Sequence, residues 1–234
     1  MSSENYALVT IGKIVADDYR AAAIFKKAGI DFCCGGNKSM EETCQEKNID
    51  IQKLKSELQE LELSSINPQL DYKNWDPGFL SDYIVNTHHR YVLKTLEELV
   101  FYTQKIAAVH GDHHLELKAV ASMFSEVNRE LLQHMIKEEE VLFPAIKEVI
   151  RNNSDLARET VMNEISRLRP EHEFAGGTMD KINEITGGYK LPDDACNTYR
   201  VTFKMLEAFE DDLHTHVHLE NNILFPKALS LSNK

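Results

Sequence analysis

The feature that most constrains this chain is a pattern that occurs twice. His134-Met-Ile-Lys-Glu138-Glu-Glu-Val141-Leu142-Phe143-Pro144 and His216-Val-His-Leu-Glu220-Asn-Asn-Ile223-Leu224-Phe225-Pro226 both read H-x-x-x-E-x-x-[VI]-L-F-P. Residues four apart share one face of a helix, so each copy projects an imidazole and a carboxylate to the same side. Val127, Leu131 and Val141 are expected on the face of His134, and Phe209, Leu213, Leu219 and Ile223 around His216. Each pair therefore interrupts an apolar stripe that has to face a core. Burying an unpaired carboxylate costs on the order of several kcal/mol, and a metal ion removes that cost by supplying positive charge.

Two further helices offer one matching histidine each. His172 has Ile165, Leu168, Ala175 and Met179 on its face, with Pro170 just before it to bend the helix and aim the ring. In the first long helix His88 and His89 compete. His89 shares a face with Val85, Val92, Leu93 and Leu96, whereas His88 falls with Ser81, Ile84, Tyr91 and Thr95. The apolar face selects His89 and leaves His88 near the surface. A lone histidine on such a face is ordinarily a hydrogen-bonded core residue. One on each of four helices, with two repeated His/Glu pairs, is poorly explained by coincidence.

The set His89, His134, Glu138, His172, His216 and Glu220 has its own chemistry. Imidazole and carboxylate without thiolate suit iron or manganese better than a structural zinc ion. Six side chains exceed the needs of one ion, and two ions bridged by both carboxylates use them well. Two octahedral ions need about twelve positions, and the six side chains with a shared oxo or hydroxo bridge fill roughly ten. About one position per ion stays open for a small ligand such as O2 or NO. Ferritin-like sites are carboxylate-rich; this nitrogen-rich set resembles hemerythrin instead.

The rest of the chain fits an all-α protein. Asp76 as N-cap, with Pro77 at the first helical position, predicts a helix running to about residue 110. Further helices are expected over 114–151, 155–186 and 193–231, broken at Gly111, Asn152-Asn153 and Gly187-Gly188. Long helices with short connections form an antiparallel bundle, here 76–234. Residues 1–63 read as a small helical unit. One helix runs from Thr10 to Gly29, another is opened by a Ser39/Glu42 capping box and a third by Asp50. Residues 64–75, with Pro68, read as a linker.

A net charge of −12 without a basic run argues against nucleic acid as a partner. No apolar stretch is long enough to span a bilayer, and the N-terminal residues lack a signal peptide's pattern, so a cytoplasmic location is expected. Four cysteines, two of them adjacent, make no disulfide framework. Cys44 and Cys196 are expected to be buried. Cys33 and Cys34 lie in the turn Asp31-Phe32-Cys33-Cys34-Gly35-Gly36-Asn37, which can leave a thiolate exposed. Redox sensing, sulfur or metal handling, an intermolecular disulfide and a purely structural turn all remain open for them. Glu139 and Glu140 are expected in solvent, His113 and His114 in a polar loop, and His214 and His218 at the surface or just outside the metal ligands.

The run Gly29-Ile30-Asp31-Phe32-Cys33-Cys34-Gly35-Gly36, joined to the twin His/Glu helices, resembles the Repair of Iron Centers family. The resemblance covers residues from about 6 to 230. It implies a small ScdA-type N-terminal domain, a hemerythrin-like bundle, and two iron ions on the same six residues. It also implies a histidine, matching His110, close to the iron. The implied role is restoring iron–sulfur proteins damaged by nitrosative or oxidative stress, with iron donated from the site. Cys33 and Cys34 would assist that role by redox chemistry or link a homodimer. The open positions also admit an enzyme that reduces NO with an external electron donor, or a reversible O2 or NO sensor.

Overall fold

The computed structural model describes residues 6–62 and 71–232. Among these residues the regular structure is helical, apart from one isolated bridge between Thr10 and Ser39. The N-terminal unit contains α1 (Ile11–Asp17), α2 (Ala21–Lys27), α3 (Met40–Lys47) and α4 (Ile51–Glu62). The single helix expected from Thr10 to Gly29 is two. The carboxylate of Asp18 accepts from the backbone N–H and guanidinium of Arg20, and Asp18 itself is extended. This local bonding competes with the helix and breaks it. Gly29 ends α2 at φ +67°, a conformation that favours glycine. The Ser39/Glu42 capping box is present.

The bundle contains α5 (Pro77–Ile84), α6 (Arg90–His110), α7 (Glu116–Lys137), α8 (Phe143–Asn152), α9 (Asp155–Ile185), α10 (Asn197–His218) and α11 (Phe225–Ser232). Asp76 caps α5 by accepting from the N–H groups of Gly78 and Phe79. Three joints are π-helical turns rather than loops: Val85–His89, Glu138–Leu142 and Leu219–Leu224. The chain thus makes four rods, namely α5–α6, α7–α8, α9 and α10–α11. Helix α9 continues through Pro170. A π turn inserts a residue and rotates the next helical segment by about 100° relative to an uninterrupted helix. For that reason Val141, expected in the core stripe, is exposed, and Leu142 and Phe143 are buried in its place. Leu93 is likewise exposed although placed inside by periodicity.

The apolar core forms two clusters. One holds Val92, Leu131, Met135, Ala175, Leu213 and Val217; the other holds Ile84, Leu142, Leu168, Leu219 and Ile223. Between them, on every rod, fall the histidines and glutamates singled out above. The first cluster continues into the N-terminal unit through Ile11, Phe25 and Phe32. That unit sits directly on α9 and α10. Phe32 meets His214 and His218 edge-on, the Asn222 amide donates to the carbonyls of Phe32 and Cys33, and Tyr19 bonds Thr215. Cys34 packs against Gly176, where a Cβ would lie 3.2 Å from its Sγ. Residues 64–70 of the expected linker lie outside the described residues. Tyr72–Asn74 form a short 3-10 turn, and Tyr72 is buried against Tyr19, Trp75 and Tyr83.

Candidate metal centre

The π turns carry the site. His89 ends the first, Glu138 opens the second, and Glu220 lies in the third. These turns are frequent at functional positions because they re-aim side chains without ending a helix. Two four-residue groups result: His89, Glu138, His216 and Glu220, and His134, Glu138, His172 and Glu220. All six residues are buried, and both glutamates belong to both groups. The Nε2 atoms of His89 and His216 are 3.2 Å apart, and those of His134 and His172 are 2.9 Å apart. Each carboxylate sends one oxygen to each histidine pair. Glu138 Oε2 is 3.3 Å from His89 and its Oε1 is 3.3 Å from His134. Glu220 Oε1 is 3.1 Å from His216 and its Oε2 is 3.1 Å from His172.

The repeat organises the surroundings as well. The residue after each shared glutamate accepts from the Nδ1–H of a histidine on a neighbouring rod. Glu139 holds His89 at 2.7 Å and Asn221 holds His172 at 3.0 Å. The phenylalanine of each copy stacks on the same ring, Phe143 on His89 and Phe225 on His172. Glu171 accepts from His134 Nδ1 at 2.9 Å and is also paired with Lys137. The corresponding place beside His216 is taken by His88, which stacks on it with centroids 5.5 Å apart and bonds Asp212. His216 Nδ1 is buried without a hydrogen bond.

These contacts correct several expectations. His88 is buried, because the π turn at 85–89 brings both adjacent histidines inward. Glu139 is exposed as expected, and it also accepts from His89. His218 is fully buried beneath Phe32. His110, which the family resemblance places near the metal, ends α6. The 21 residues of α6 separate it from His89, roughly 30 Å of helix. It contacts Cys196 and Tyr199 at the far end of the bundle. Cys196 is exposed because it caps α10 at that end, whereas Cys44 is buried as expected. Glu139, Asn221, Glu171 and the two phenylalanines escaped the sequence reading. Their matched positions in the repeat were the signal for four of these five.

The electrostatics show what the cluster needs. Burial works against charge on every group. Nevertheless His134 and His89 push Glu138 below the usual carboxylate range, against Glu220, and His216 and His172 push Glu220 well below it. Burial disfavours charge on His134, but Glu138, Glu171 and Glu220 push its pKa up to about 10. Glu171 is drawn down to about 2 by the bond from His134. Burial moves His216 down instead. Both oxygens of Glu138 and one of Glu220 are buried without a hydrogen bond. Two carboxylates and four converging Nε2 atoms in an apolar layer call for cations, which protons on histidine supply only in part. The donor set fits two iron ions that share both carboxylates.

Cys33 and Cys34 lie above this layer. Cys34 Sγ is 3.4 Å from the carbonyl of His172, and the two sulfurs are 3.9 Å apart. Cys33 is buried rather than exposed. The neighbouring Cys34 thiol, burial and Asp31 hold its pKa well above the ordinary thiol value.

Fold and cluster together define a hemerythrin-type cation-binding bundle. Residues 81–228 match the family model described as the hemerythrin HHE cation binding domain. Residues 8–62 match the ScdA N-terminal model, described as a domain of unknown function. Similarity to curated relatives spans both units. The chain is 32% identical to the iron–sulfur cluster repair protein YtfE of Enterobacter sp. (strain 638), over 94% of this chain and 96% of that protein. It is 33% identical to the protein of the same name from Pectobacterium atrosepticum, over 94% and 96%. It is also 33% identical to that from Musicola paradisiaca, over 96% and 98%. The chain belongs to the Repair of Iron Centers family, the hemerythrin-type proteins that carry the ScdA N-terminal unit.

Proposed function

We propose that this protein holds a non-haem di-iron centre on His89, His134, Glu138, His172, His216 and Glu220, and that it repairs iron–sulfur clusters damaged by nitrosative or oxidative stress. The observation that carries the reading is the pair of buried ligand groups sharing Glu138 and Glu220. Two iron ions bound there would supply redox-active centres for a small ligand such as NO or O2, and a store of iron for a damaged cluster. His89 and His216 face one position, and His134 and His172 the other. Glu138 and Glu220 span both. Glu139, Asn221 and Glu171 hold Nδ1–H groups, which keeps the Nε2 lone pairs turned inward. Phe143 and Phe225 cover two rings and exclude water. The clients are damaged iron–sulfur proteins, and the Cys33-Cys34 turn stands over the α9 ligand as a contact point for exchange. None of the described helices is long and apolar enough to cross a membrane.

The test is recovery of an NO-damaged [4Fe–4S] dehydratase such as aconitase. The iron-loaded protein is expected to restore activity beyond an equal amount of free ferrous iron. Glu138→Leu and Glu220→Leu should abolish that recovery, since each removes a carboxylate serving both positions. Recovery no better than free iron, or undiminished in both variants, overturns the proposal.

A further inference from the structure

A second group of donors lies where the N-terminal unit meets the bundle. Glu210 and His214, four apart on α10, share a face with Asp180 of α9, and one ligand atom from each lies within 4.8 Å of the others. His214 Nε2 is 3.5 Å from Asp180 Oδ1. The three border a pocket of about 350 Å³ whose opposite wall is Gly29, Ile30, Asp31 and Phe32. None of the three belongs to the bundle cluster.

Glu210 is the unusual member. Its residue is buried, at 4% exposure. Its one hydrogen bond within normal geometry comes from the Asn183 amide, 2.9 Å to Oε2. Burial raises its pKa above the ordinary carboxylate value. Beside it the buried Tyr189 hydroxyl faces the Glu210 carboxylate. The two lysines on the pocket wall are engaged elsewhere. Lys26 pairs with Asp211, and Lys47 donates to the carbonyl of Gly29. A carboxylate this deep, opposite an imidazole and a second carboxylate, brings three metal-ligating groups to one point at the pocket wall.

We infer that Asp180, Glu210 and His214 form a mononuclear site for a divalent cation of the Fe2+ or Mn2+ class. Two carboxylates and one imidazole without thiolate favour these ions over a structural zinc. Ligands at right angles about an ion with bonds of about 2.1 Å stand roughly 3 Å apart. The 3.5 Å between His214 and Asp180 therefore needs only a small inward movement. The pocket leaves room for water to complete an octahedron. The site shares helices α9 and α10 with the bundle cluster, and Asp31 on its wall also accepts from the Cys33 thiol at 3.0 Å. An ion bound here would stand about two turns of helix α9 from His172 and about one turn of α10 from His216, next to the cysteine turn.

The experiment is a titration with Mn2+ followed by loss of the free ion's EPR signal. The full chain is first loaded anaerobically with ferrous iron, desalted and assayed for metal. The native sequence should take up one further ion. Asp180→Asn and Glu210→Gln should lose that uptake with iron content unchanged. Asp180 is exposed, so its substitution leaves the core intact. No extra ion in the native chain, or equal uptake in both variants, overturns the inference. If the bundle does not load with iron, the titration is run on the metal-free chain. The native protein should then still bind one ion more than Asp180→Asn, and equal uptake again overturns the site independently of the di-iron reading.

Discussion

Glu139 and Asn221 hold the same place in the two copies of the repeat, yet one is a carboxylate and the other an amide. Each fixes a ligand imidazole from another rod. Removing such a partner typically costs about 10- to 100-fold in metal affinity. Asn221→Ala should therefore weaken iron binding by that order while helix content is kept, as read by competition with a chelator. Unchanged affinity would show that Phe225 alone orients His172. Protonation gives a second expectation. With Glu138 and Glu171 beside it, His134 keeps a proton up to about pH 10 in the metal-free chain. Metal requires the neutral ring. Iron binding at pH 7 should thus release protons, and apparent affinity should rise with pH from the ordinary histidine range near 6.5 towards 10; calorimetry in buffers of different ionisation enthalpy reads this directly. The thiols obey the same physics. Cys196 is exposed, and Cys33 is buried with its pKa held high by Cys34, burial and Asp31. Iodoacetamide at neutral pH should label Cys196 well before Cys33, with peptide mapping as the measurement.

At the scale of the element, the π turns decide what the sequence shows and what it hides. Four of the six clustered residues could be read because a His/Glu pair four apart, at the start of the π turn, still obeys helical periodicity. His172 could be read because α9 carries no insertion and its neighbours Leu168 and Ala175 keep register. At the first two insertions the periodicity misleads. Val141 moved out, Leu142 and Phe143 moved in, and His88 joined His89 in the interior. No residue type marks a π turn, so a reading at 3.6 residues per turn cannot place it. His110 failed for another reason: a resemblance conveys which residues recur and not how far apart a helix holds them. The insertion itself can be tested. Glu140 is exposed within the π turn Glu138–Leu142. Deleting it should restore α-helical winding and turn Phe143 off His89, lowering both iron content and melting temperature. Glu140→Ala should change neither. If the deletion binds iron normally, the turn does not set the geometry.

At the scale of the whole molecule, the polar layer divides the core into two apolar clusters and also joins them. Every rod crosses it, and the cluster on one side continues into the N-terminal unit. Without metal, the layer buries two carboxylates whose charge is met only in part by histidine protons; metal bound there would tie all four rods together. Anything that binds only the folded chain stabilises it, by about 2.7 kcal/mol at a hundred times Kd. For a chain of this size each kcal/mol raises the midpoint by roughly 2–4 °C. Ferrous iron in such excess should therefore raise the melting temperature by roughly 5–10 °C, and a chelator should reverse it. The two sides of the layer carry separate reporters. Trp75, the single tryptophan, packs among Tyr72, Phe79 and Tyr83 beside one cluster. Cys33 lies in the other, inside the N-terminal unit. If that unit is continuous with the bundle through Phe32 and Asn222, tryptophan fluorescence and Cys33 labelling should report one transition, and iron should shift both by the same amount. A Cys33 transition at lower temperature, indifferent to iron, would mean that the N-terminal unit unfolds alone and that its contact with α9 and α10 contributes little to stability.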